Sequence, residues 1–200
     1  MEFMSIFPFI SFLFFSLILT GRIIYLQKKG IRISSNAGDK PWYLVLIYPV
    51  FVLLFLLWIA ELVNLALHLT VSFLPDWFTQ KLYGSTVLEI TGMIMVIVAL
   101  FLLVLTLFHF KQSLRFGLDN HNAGDLITTG VFSYTRNPFF LSVNLFFTGF
   151  ALLHPSLFFI VMALLSLISI HFFILKEEKF LRKHYGEAYR NYSEKVGRYL

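Results

Sequence analysis

Five apolar segments decide what this chain can fold into. They run over residues 3–26, 42–70, 86–108, 139–153 and 156–175. A helix needs about 20 mostly apolar residues to cross the hydrocarbon core of a bilayer. Four of the segments meet that length. Segment 139–153 is too short to span comfortably alone, and His154-Pro155 separates it from the next. These two therefore read as a tight helical hairpin turning at His154-Pro155. Composition agrees: charged residues make up 14 % of the chain and hydrophobic residues 58 %, where a soluble domain is about a quarter charged. The expected fold is an all-α membrane protein with five transmembrane helices, the last two a hairpin, followed by a cytoplasmic C-terminal helix.

Charge orients the bundle. With five spans, fifteen of the sixteen Lys and Arg residues fall at one side and only Lys81 at the other. Basic residues gather on the cytoplasmic side, so the N-terminus is expected outside and the C-terminus inside. Residues 3–19 lack the basic leader and small-residue cleavage site of a signal peptide, and read as a retained helix. The net charge of +5 flanks apolar segments, which suits anionic headgroups rather than nucleic acid. Leu181, Tyr185, Tyr189, Tyr192 and Val196 recur at spacings of three and four, one stripe on a helical tail. Glu61, Asn64 and His68 are spaced to share a face of the second helix. They read either as a functional polar chain or as wet residues at the outer interface.

Several chemistries drop out. There is no cysteine, so disulfides and thiolate sites are excluded. The six histidines have no zinc-type spacing, and no metal site is expected. Dinucleotide and phosphate-loop motifs are missing too.

Two cytoplasmic stretches remain. The first is Leu126-Ile127-Thr128-Thr129-Gly130-Val131-Phe132-Ser133-Tyr134-Thr135-Arg136-Asn137-Pro138-Phe139-Phe140. Gly130 permits an unusual backbone conformation or a close approach. Phe132 and Tyr134 offer flat faces to a heteroaromatic ring, and Arg136 supplies a cation. Asn137 should be extended because proline follows. Pro138 suits a first helical turn, whose N–H groups are free. The second stretch is Lys176-Glu177-Glu178-Lys179-Phe180-Leu181. Adjacent residues project about 100° apart on a helix, so one carboxylate can face a site while the other faces water. Such parts suit a nucleotide-like, partly cationic ligand at a membrane surface. They also suit an ordinary juxtamembrane anchor with a helix start, beside a solvated helix turn.

The first stretch resembles the signature of the integral membrane isoprenylcysteine carboxyl methyltransferase and phospholipid methyltransferase group. Glu177-Glu178-Lys179-Phe180-Leu181 followed by Tyr185-Gly186, Tyr189, Tyr192 and Val196 resembles the group's second signature. The likeness covers residues 105–200. It implies one membrane domain over 1–200, with N-terminal helices in 1–104 and a catalytic, cofactor-binding part in 105–200. It implies transfer of a methyl group from S-adenosyl-L-methionine to a lipophilic small molecule, a lipid or a prenylated acceptor, among membrane lipids. Alignment and exclusion of water would supply the catalysis. The residues matching cofactor positions are Gly124, Asp125, Leu126, Ile127, Phe132, Asn137, Pro138, Phe139, Phe140 and Glu177. Gly130 and Tyr134 join them from the reading above. Arg136, Glu177 and Glu178 are the candidate catalytic residues. Asn137 replaces the commoner histidine, and Phe132 and Phe140 replace tyrosines. Where carboxyl methyltransferases of the group carry an arginine for the acceptor carboxylate, this chain has Phe173. A carboxylate, an amine and a thiol all stay open as acceptors. A nicotinamide-dependent membrane reductase of similar architecture is a second reading, and a non-enzymatic membrane scaffold or binder a third.

Overall fold

The computed structural model describes residues 2–30, 43–69, 72–110 and 126–200. Seven α-helices make up these residues: α1 (Glu2–Lys28), α2 (Tyr43–Leu67), α3 (Asp76–Thr79), α4 (Thr86–His109), α5 (Pro138–Leu153), α6 (Leu157–Tyr185) and α7 (Glu187–Lys195). A 3-10 turn, Gly130–Ser133, precedes α5. No strand occurs among the described residues. Four helices are long and apolar enough to cross a membrane: α1, α2, α4 and α6. Their outward residues, such as Leu17, Val52, Phe101 and Phe172, are exposed and apolar, as lipid requires of a spanning helix.

α5 has 16 residues, about 24 Å of helix. It is the most enclosed long helix, with Phe146, Gly149, Phe150 and Leu153 buried. Its seam with α4 is narrow because both sides carry glycine. A Cβ on Gly92 would stand 2.6 Å from the Gly149 carbonyl, and one on Gly149 would stand 2.7 Å from Val96 Cγ2. Small residues let membrane helices approach this closely, and van der Waals packing then holds them. On the opposite flank Phe146 and Phe150 meet Trp58 of α2, with ring centroids 6.3 and 5.3 Å apart.

The hairpin turns at His154-Pro155, as expected. Ser156 caps α6, its Oγ accepting from Phe159 N at 3.3 Å. The turn is fastened to the connection between α2 and α4. Leu82 N donates to Pro155 O at 2.8 Å, and His154 Nε2 lies 3.1 Å from Thr79 O. Within that connection residues Asp76–Thr79 wind into a helical turn behind Pro75.

Three expectations are corrected. The C-terminal polar stretch does not begin a new helix: α6 runs unbroken through Lys176, Glu177 and Glu178 to Tyr185. Lysine, glutamate and leucine are all good helix formers, and the first break is Gly186, at φ 54°. The aromatic stripe is thereby divided, Leu181 and Tyr185 on α6 and the buried Tyr189 and Tyr192 on α7. Second, Glu61, Asn64 and His68 do not form one polar face. Glu61 is buried and accepts from Ser72 Oγ at 2.6 Å. The helix ends at Leu67, and His68 turns away at φ 52° to lie 3.2 Å from Ser5 Oγ. Third, Asn137 avoids the helical region but is not fully extended, with φ −128° and ψ 52°. Its N–H bonds back to Thr135 Oγ1 at 3.2 Å, which tightens the turn.

Candidate active site

The loop before α5 is shaped by what surrounds each side chain. Gly130 sits at φ 66° with its α-carbon against the His109 ring, which a Cβ would overlap. Both its conformation and its neighbour therefore demand glycine. His109 ends α4, its Nδ1 2.8 Å from Leu105 O. Ser133 Oγ donates to Gly130 O at 2.7 Å and closes the turn. Phe132 is buried edge-on against Phe110, centroids 5.0 Å apart. Its carbonyl accepts from Tyr192 Oη at 2.6 Å. Burial raises the Tyr192 phenol above its ordinary pKa, so it keeps the proton that this bond needs. Phe132 is thus packing, and Tyr134 is the aromatic left exposed.

Arg136 and Glu178 form the centre of a clamp. Arg136 Nη2 donates to Glu178 Oε1 at 2.9 Å, and Nη1 donates to Ser193 O at 2.8 Å. Arg198 grips the same carboxylate from the other side, with Nη2 2.8 Å from Oε2 and Nε 3.1 Å from Oε1. The Arg198 carbonyl in turn accepts from Asn137 Nδ2 at 3.0 Å and Thr135 Oγ1 at 3.3 Å. Arg136 N donates to Gly197 O at 3.0 Å. The loop, α6 and the C-terminal segment are therefore tied through one carboxylate. The Arg136 and Glu178 side chains are only 9 % and 7 % exposed. A carboxylate this enclosed is tolerated because both its oxygens are taken by guanidinium donors.

Glu177 differs from its neighbour. It is half-buried and, among the described residues, makes no ion pair. The expected division, one carboxylate inward and one in water, is replaced by one clamped and one half-buried. Leu126 and Ile127 are half-buried, Pro138 is buried, and Phe139 and Phe140 begin α5 half-buried. Phe139 packs on Leu26, Leu103 and Leu107. Phe140 meets Phe173, centroids 5.3 Å apart, so an aromatic pair occupies the place of the carboxyl methyltransferase arginine. Gly124 and Asp125 lie outside the described residues.

The model of the phospholipid methyltransferase family matches residues 87–188, which take in α4, the glycine-arginine-Asn-Pro loop, the hairpin and the Glu177-Glu178 pair. This chain belongs to the phospholipid methyltransferase family. It is a multi-pass membrane methyltransferase of a family acting on lipid-like acceptors, and nothing found supports the reductase reading. No curated protein and no solved structure matches the chain. The match ends before Tyr192, Arg198 and Tyr199, although in this phospholipid methyltransferase family member Arg198 completes the clamp, Tyr192 holds the loop at Phe132 O and Tyr199 bonds His171. Sequence reading passed over Arg198 and Tyr199. Arg198 looked like one more basic residue of the tail, and only its neighbour Gly197 signals a turn that could fold it back.

Proposed function

We propose that residues 126–140 and Glu177 hold S-adenosyl-L-methionine, the methyl donor typical of this family, for transfer to a lipophilic acceptor. The observation that carries this reading is the contrast between Glu178, locked between two arginines, and Glu177 beside it, free of any ion pair among the described residues. The residues fit the group. Glu177 offers a half-buried carboxyl group to a ligand that bears a cationic sulfonium and an ammonium. The first turn of α5 offers backbone N–H groups to its carboxylate. Leu126, Ile127, Phe139 and Phe140 offer apolar and aromatic surface to the adenine, and exposed Tyr134 one further face. Gly130 shapes the turn, and Asn137 and Pro138 set the start of α5. Gly124 and Asp125 complete the proposed set.

Bound there, the cofactor supplies an electrophilic methyl group on sulfur. The chain's own part is to fix geometry and exclude water. Arg136 and Glu178 keep the loop and α6 in register, so both act as positioning residues. Residues 105–200 form the working part and residues 1–104 the membrane scaffold. α5 counts as a fifth crossing, because its far end reaches the connection between α2 and α4 through Thr79 and Leu82. Basic residues then place the clamp and C-terminus in the cytoplasm. Among the described residues Phe173, packed on Phe140, stands where the carboxyl methyltransferases carry their arginine, which argues against a prenylcysteine carboxylate.

Purified protein in detergent, heated with S-adenosylhomocysteine, NADPH or neither, tests the reading. Stabilisation by S-adenosylhomocysteine alone is expected, and no shift with that ligand would refute it.

A further inference from the structure

The segment after α7 does more than complete the clamp. Val196 ends α7 with extended backbone, φ −121° and ψ 132°. The chain then folds back at Gly197, where a Cβ would overlap the Leu200 carbonyl. Residues 196–200 cross the loop before α5 and reach α6. Arg136 N donates to Gly197 O, and Asn137 Nδ2 and Thr135 Oγ1 donate to Arg198 O. Arg198 holds both oxygens of Glu178. The next residue, Tyr199, stacks on His171 of α6, with ring centroids 6.2 Å apart and Oη 2.8 Å from Nδ1.

That stacked pair borders a cavity of about 710 Å³ between α5 and α6. Among the described residues, Tyr199 is the only part of its lining that comes from outside these two helices. It stands at the end toward the donor site, since His171 is six residues before Glu177, about 9 Å along α6. The α6 wall also includes Ile168 and Phe172, which are exposed and apolar, as lipid-facing residues are. The cavity is therefore walled by membrane helices along its length and by the 196–200 segment at the end nearest the loop.

The two arginines on Glu178 are not alike. The Arg136 side chain is 9 % exposed and that of Arg198 33 %. When Arg198 lets go, its charge returns to water and Glu178 keeps Arg136, so no buried charge is left unpaired. Arg136 has no such exit. One arginine is a fixed strut, and the other is suited to be a latch. Thr135, Arg136 and Asn137 form the seat on which the segment rests, and they belong to the loop assigned above to the methyl donor. A ligand that orders this loop holds the seat and so favours the latched state. Resting on that donor reading, we propose that residues 196–200 are a strap, hinged at Gly197 and latched by Arg198, that closes the donor-side end of the cavity with Tyr199 and shuts more firmly once the donor is bound. Latched, it keeps water from the cavity end beside the donor. Released, it opens that end to polar solutes. Arg198 and Tyr199 are positioning residues, acting through Glu178 and His171.

The chain has no cysteine, so one can be placed as a reporter. Leu141→Cys puts it in the cavity wall, one residue past Phe140. The full chain, in phosphatidylcholine nanodiscs that leave both membrane faces open, would be labelled with a sulfonate-bearing methanethiosulfonate, whose charge keeps it out of lipid. The labelling rate reads how often the donor-side end is open. In this background Arg198→Ala and Tyr199→Ala should each label about tenfold faster than the parent. Arg198→Lys should lie between, and Gly197→Ala should act in the same direction as Arg198→Ala. S-adenosylhomocysteine should slow the parent about tenfold and leave Arg198→Ala nearly unprotected. A second reporter, Val96→Cys in the core, should stay unlabelled throughout. Equal rates in the parent and Arg198→Ala would overturn the strap. So would no rescue by Arg198→Lys, faster labelling of both reporters, or binding of S-adenosylhomocysteine without protection. Wild-type protein that does not bind S-adenosylhomocysteine would instead remove the donor reading and the coupling to it, while the rates without ligand still decide the latch.

Discussion

The two ends of the α5–α6 hairpin are fastened by different chemistry. At the His154-Pro155 turn the partners are backbone carbonyls and one imidazole, meeting the loop before α4. At the other end, two arginines close on one buried carboxylate and carry the C-terminal segment with them. The first fastening is complete in itself and presents nothing to a ligand. The second uses Glu178 fully and leaves Glu177 beside it. A rigid charged clamp next to a spare carboxylate is how a membrane helix end becomes a binding site, because the clamp orders the loop before any ligand arrives.

The sharpest way to break this comparison is Arg136→Ala. It removes one of the two cations on a buried carboxylate, leaving Arg198 to hold it alone, which costs about 1.5–3 kcal/mol. The variant should unfold at much lower temperature in detergent and should fail to bind S-adenosylhomocysteine. Gly149→Leu attacks the middle of the hairpin, forcing α5 off Val96 and the Gly92 backbone. Overpacking of this kind costs about 1–3 kcal/mol, measurable as a lower thermal midpoint. Tyr192→Phe leaves the Phe132 carbonyl without its donor, at a cost of about 1–2 kcal/mol. Its signature should be early proteolysis of the 126–137 loop while α4 and α6 persist. At the far end, His154→Ala loses one hydrogen bond to Thr79, about 1 kcal/mol. S-adenosylhomocysteine affinity should stay at the wild-type value there; a change would mean that the two ends are coupled and the contrast between them false.

Much of the frame was legible beforehand because membrane helices announce themselves by length and hydropathy. Residues 139–153 and the His154-Pro155 turn came through for that reason, and the glycine in the loop because φ 66° against His109 leaves no alternative. What escaped reading depended on contacts between residues distant in sequence. An aromatic in a loop has the same letter whether it offers a face or packs, so Phe132 read like Tyr134 although one is buried and the other 77 % exposed. Two adjacent glutamates look equivalent until Arg136 and Arg198 arrive from 42 and 20 residues away. The continuity of α6 was hidden by a change from apolar to charged residues, which alters what surrounds a helix and not whether it continues.

The most direct measurement is calorimetric titration of S-adenosylhomocysteine into wild-type protein and Glu177→Ala, with thermal unfolding of both. The expected result is an unchanged unfolding midpoint and an affinity lower by about 10–100-fold, the worth of a hydrogen bond to a charged group. Full affinity in Glu177→Ala would contradict the division of labour between the two carboxylates.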